Sequence, residues 1–187
     1  MFFKKLHKAP EMTEESASLE LIKGSVEAFN FLYERYHTKV YWFCLRMLGD
    51  VESTKDAFQE VFVKVYEKRK EFRGENFTAW LFTIARHICL NIIRTRKEFV
   101  ELDEHTQTTD HLRESDIGMK DFIENALQKL PIVYREVLVL REYEECSYQE
   151  IADILGIEVA NAKVRVHRAR TLMRKILTPI AKEYYEH

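Results

Sequence analysis

Cysteine is scarce in this 187-residue chain: Cys44, Cys89 and Cys146 lie far apart, odd in number, with no C-x-x-C spacing. That argues against a disulfide framework and against a structural zinc site. Cys44 and Cys89 sit inside apolar runs, as small core residues do. Three prolines and five glycines leave room for long uninterrupted helices. No apolar run approaches the length of a transmembrane helix, and residues 1–10 lack the apolar centre of a signal peptide, so the chain is expected to stay in the cytoplasm. Glycine-rich phosphate loops, G-x-S-x-G and H-E-x-x-H are all missing. The seven histidines are scattered, none spaced with a carboxylate as metal ligands would be. No enzymatic activity, cofactor or metal is therefore expected.

What is present is helical periodicity and sorted charge. Charged residues make up 32% and hydrophobic residues 46%, close to the average of a globular domain. The net charge of −2 hides an asymmetry: residues 98–116 hold seven acids and one arginine, whereas cations prevail from Glu158 onward. Residues 18–48 carry a thick apolar stripe with a break near Gly24 and a stop at Gly49-Asp50. A helix over 50–72 has Ala57, Phe58, Val61, Phe62, Val65 and Tyr66 on one side and Asp56, Gln59, Glu60 and Lys64 on the other. After the break at 72–76, a helix from Phe77 to about Lys97 buries Phe77, Trp80, Leu81, Ile84, Ala85, Ile88 and Ile92. Its opposite stripe, Arg86, His87, Asn91, Arg94 and Arg96, is basic with no acid. Aromatic and basic residues interleave here as they do where single-stranded nucleic acid is held, by stacking on rings and by cations along phosphates. Phe77 and Trp80 nevertheless read as core, while Phe72 and Phe82 fall off the main stripe.

Residues 98–117 lose the periodicity, bury little against the entropy of ordering them, and read as an acidic linker. The helical pattern resumes at Gly118. Ser147 and Glu150 form a capping box, Ile151, Ala152, Ile154 and Leu155 give an apolar face, and Gly156 ends a two-turn helix. A second helix from near Glu158 presents Val159, Ala162, Val166, Ala169, Leu172 and Met173 on one side and Lys163, Arg165, His167, Arg168, Arg170 and Arg174 elsewhere. The pair reads as a helix-turn-helix, whose basic second helix suits the major groove of DNA. The fold class is all-α: an arm over 1–17, a helical domain over 18–97, a flexible linker over 98–117, and a second helical domain over 118–187 containing the helix-turn-helix.

Five segments in order carry a resemblance: D-A-F-Q-E-V-F (56–62), F-T-A-W-L-F-T-I-A-R (77–86), L-P-I-V-Y-R-E-V (130–137), S-Y-Q-E-I-A-D-I-L-G-I (147–157) and K-V-R-V-H-R-A-R (163–170). Together they resemble the extracytoplasmic-function branch of the sigma-70 family of bacterial RNA polymerase initiation factors. The resemblance implies binding to core polymerase through Asp56, Gln59, Glu60 and Phe62. It implies contact with the melted −10 element through Phe72, Arg73, His87, Asn91 and Arg94, and with the duplex −35 element through Lys163, Val164, Arg165, His167 and Arg168. It also implies an anti-sigma partner. Residues 158–165 depart from the usual Pro-Val-Gly-Thr-Val-Lys-Ser-Arg: Glu158 would repel a nearby phosphate, and Val164 replaces a hydroxyl donor with an apolar contact, for example to a thymine methyl. A repressor or activator with the same helix-turn-helix would leave the segment 56–62 unexplained, and a DNA-blind decoy would have lost the basic stripes.

Overall fold

The computed structural model describes the backbone of residues 12–102 and 119–185 and the side chains of 12–96 and 122–179. Within them are eight α-helices and one 3-10 turn, and no strand: α1 (Glu14–Ile22), α2 (Val26–Leu48), α3 (Val51–Glu67), the turn Arg69–Glu71, α4 (Phe77–Leu102), α5 (Met119–Gln128), α6 (Ile132–Glu142), α7 (Tyr148–Leu155) and α8 (Val159–Tyr185). The all-α expectation is met. Two boundaries differ from the sequence reading. A Thr13/Ser16 capping box starts α1 within the expected arm, and α4 runs five residues beyond the expected end of its domain. The rest of the arm, residues 1–11, and residues 103–117 of the acidic stretch lie outside the described residues.

Helix starts follow the local chemistry. Ser25 accepts from the Ala28 N–H and Asp50 from the Ser53 N–H, each supplying a partner for a donor otherwise orphaned in the first turn. The N-terminal half packs α1, α3 and α4 against α2 around Leu21, Leu32, Val40, Phe43, Met47, Val61, Leu81 and Phe82, all almost completely buried. Phe43 and Phe82 meet edge to face at 5.2 Å. The C-terminal half closes α5–α8 around Leu127, Val137, Val139, Leu140, Ile151, Ala162, Val166 and Ala169.

The two halves meet at the end of α2. A helix C-terminus leaves carbonyls without intrahelical donors, and cations are favoured beside it. Here the Arg46 carbonyl accepts from Gln128 Nε2 at 2.8 Å, the Met47 carbonyl from Arg135 Nη1 at 2.8 Å, and the Leu48 carbonyl from Arg96 Nη1 at 3.3 Å. Gly49, left-handed at φ 79°, ends the helix, and a Cβ there would lie 2.7 Å from Gln128 Oε1. Glycine thus provides both the turn and the close approach. Around this joint Arg46 lies over the Tyr143 ring at 3.9 Å and pairs with Glu124 at 3.4 Å; the halves also meet at the far end of α4, where Asn76 donates to Glu150 at 3.1 Å.

Candidate nucleic-acid interface

The helix-turn-helix is built as its residues dictate. Ser147 accepts from the Glu150 N–H at 3.1 Å and Glu150 returns a bond to the Ser147 N–H at 2.8 Å. Burial pushes the Glu150 carboxyl up, but Asn76 and Ser147 outweigh it and hold the group below its ordinary value. Gly156 ends α7 at φ 65°, where a left-handed residue is required. Ala162, Val166 and Ala169 then seat α8 against the half's core with no exposure.

The opposite side of α8 shows Asn161, Lys163, Val164, His167 and Arg168 to solvent. Lys163 Nζ sits 5.8 Å from the centre of the Tyr148 ring, which steadies it beside α7. Arg165 differs from the expectation that grouped it with these: it is half-buried, and its Nη1 lies 4.0 Å from the Glu136 carboxylate. Arg170 is likewise held, its Nη2 2.7 Å from Glu142.

On α4, His87, Asn91 and Arg94 share one exposed stripe at i, i+4 and i+7. Arg94 lies within 3.5 Å of Asn91 Oδ1. Partial burial, then Arg86 and Lys68, hold the His87 imidazole below its ordinary pKa, leaving it neutral and able both to donate and to accept at neutral pH. Arg73 is exposed in the preceding loop. Phe72 is not a surface ring: only 5% exposed, it packs edge-on against Phe77 at 5.7 Å and against Trp80 at 5.2 Å. The apolar effect of closing the loop over the core outweighs any stacking role in this conformation, and Phe82, fully buried, follows the same logic. Arg86, read from sequence as part of the free basic stripe, instead bonds Glu136 of the other half at 2.8 Å.

A third surface lies on α3. Asp56, Gln59 and Glu60 are exposed on one face, whereas Phe62 is buried among Phe29, Tyr33 and Phe58. Phe62 thus supports the face from beneath. Val63, 53% exposed among these polar residues, was not anticipated from sequence. Among the described residues there is no cluster of His, Cys, Asp or Glu fit for a metal, and no helix long and apolar enough to cross a membrane.

Comparison with known proteins identifies the family, over both halves of the chain. Residues 32–99 match the family model for sigma-70 region 2, and residues 123–173 match that for sigma-70 region 4. The chain belongs to the sigma-70 family of RNA polymerase initiation factors, in its extracytoplasmic-function branch. It is 32% identical over 183 residues to the ECF RNA polymerase sigma factor SigW of Bacillus subtilis strain 168, covering 89% of this chain and 98% of that one. It is 33% identical over 161 residues to RNA polymerase sigma factor YlaC of the same organism, covering 81% and 93%. Among solved structures, the sigma factor RpoE of Bartonella quintana in complex with the anti-sigma factor NepR superposes with a TM-score of 0.70 at 25% identity, over 81% of this chain and 98% of that one. The chain is therefore a sigma factor, not an enzyme, and directs promoter-specific initiation by binding core polymerase and the −10 and −35 elements.

Proposed function

We propose that the helical domain over 18–97 binds polymerase and the −10 element, and the helical domain over 118–187 binds the −35 element. The observation that carries this reading is the pair of exposed stripes, His87/Asn91/Arg94 on α4 and Lys163/Val164/His167/Arg168 on α8, each on a helix whose opposite face is core. On the first unit, Arg73 and the α4 stripe receive the unpaired strand; Phe72 joins them only if its loop opens. On the second, α8 enters the major groove with its exposed side to the bases while Arg165 braces the helix from within. Asp56, Gln59 and Glu60, with Val63 between them, form the polymerase contact. The work of initiation is done in the cytoplasm, and an anti-sigma partner like that of RpoE holds the factor inactive. Recovery of this chain from its host only as free or polymerase-bound species would count against that partner.

Two substitutions test the upstream contact. Arg168→Ala is expected to weaken duplex −35 binding by about 1–3 kcal/mol if the guanidinium reads a base, and Lys163→Ala to lower the salt slope by about one if it meets a phosphate. Footprints and salt titrations unchanged in both would remove α8 from the interface. For α3, Asp56→Ala with Gln59→Ala should abolish capture of core polymerase while the helical circular dichroism stays intact, and retained capture would refute the assignment.

A further inference from the structure

The geometry points to Asn161 as a base-reading residue that selects an adenine within the −35 element, beside a thymine whose methyl group meets Val164. This rests on α8 being the −35 reader. Three of the polar side chains along the first turns of α8 are already engaged within the molecule: Arg165 toward Glu136, Arg170 on Glu142, Lys163 over Tyr148. Asn161 is exposed, and among the described residues its amide has no hydrogen-bond partner and caps no helix. Asparagine is a poor helix former, so an exposed one without a partner contributes nothing to the fold. Val164, one turn on, is 47% exposed on a helix face otherwise polar.

An unpaired amide at i, an aliphatic group at i+3 and a guanidinium at i+7 lie along one edge of α8. Residues near the N-terminus of a recognition helix are those that reach base edges. In the major groove an asparagine amide matches the adenine N6 and N7 pair in bidentate fashion, and an apolar side chain matches the thymine C5-methyl. The axial rise from residue 161 to 164 is about 4.5 Å at ~1.5 Å per residue. The rise between base pairs is about 3.4 Å. Asn161 and Val164 therefore fall on adjacent pairs, with Arg168 farther along the groove.

The test is run-off transcription by core polymerase with the full chain on a template library randomised across the −35 element, comparing the wild type with Asn161→Ala and Val164→Ser. The wild type is expected to prefer adenine about tenfold or more at one pair. In Asn161→Ala that preference should fall to about twofold, the other pairs keeping their rank order, and Val164→Ser should relax the thymine preference at the neighbouring pair. An Asn161→Ala profile identical to the wild type, or a loss spread evenly over every pair, overturns the inference. Failure of the wild type to initiate from any template overturns the sigma-factor reading itself, so the two failures are distinguishable.

Discussion

Glu136→Ala is expected to destabilise the protein by about 3–5 kcal/mol, the usual cost of leaving one member of a buried ion pair alone. Glu136 is 2% exposed on α6 and accepts from Arg86 Nε of α4 at 2.8 Å, with Arg165 of α8 on its second oxygen. The alanine variant strands the Arg86 guanidinium, itself largely buried, in the contact between the halves. Urea unfolding measures the loss, and small-angle scattering shows whether part of it appears as separation of the halves instead. Replacing both Arg86 and Glu136 with methionine should recover most of the loss, because two apolar groups of similar size leave no buried charge without a partner, and Arg165, which also loses Glu136, is exposed enough to be hydrated. A single-variant loss under about 1 kcal/mol would mean that water reaches the pair, as it does at surface bridges.

The second large effect concerns pH. Glu144, 5% exposed, stands in the cleft between the halves, and its carboxylate has no direct hydrogen-bond or ion-pair partner among the described residues. Burial pushes its pKa up to about 7, against the pull of Lys39 and Arg46 of α2 and with the help of Glu145. Because the folded value lies above the unfolded one, the native state holds this proton more tightly. Its contribution is intact below about pH 4 and is lost as pH rises through 7. Glu144→Gln should therefore match the wild type near pH 4 and exceed its stability by about 3 kcal/mol at pH 8. Asp50 and Glu150, held below their ordinary values, act in the opposite sense at low pH and cancel in this comparison. Parallel stability curves for the two proteins from pH 4 to 8 would place the carboxyl in water.

What could be read from residues alone was what is local. The Ser147/Glu150 box, the Gly156 stop and the α8 face depend on neighbours within a few positions, and they appear as expected. The surfaces changed by partners distant in sequence did not. Arg86 looked like a free cation because Glu136, fifty residues on, sits within an apolar run that reads as core. Phe72 looked exposed because a loop position has no period to place it on a face, and burial came from Phe77 and Trp80 folding back over it. Val63 escaped notice for the reverse reason: flanked by Val61, Phe62 and Val65, it had no signal to separate an exposed aliphatic from a buried one. Asn161 was visible only as a departure from the family pattern until its want of a partner gave it a role.

The three cysteines give the molecule an internal stopwatch. Cys44 and Cys89 are fully buried together in the N-terminal core, while Cys146 lines the cleft between the halves, where burial pushes its thiol up to about 12. A thiol reagent will modify each only as fast as its surroundings open. Cys146 then times the parting of the two units and Cys44 with Cys89 the unravelling of one of them, so a single labelling trace, resolved by mass, separates the two events without any added probe.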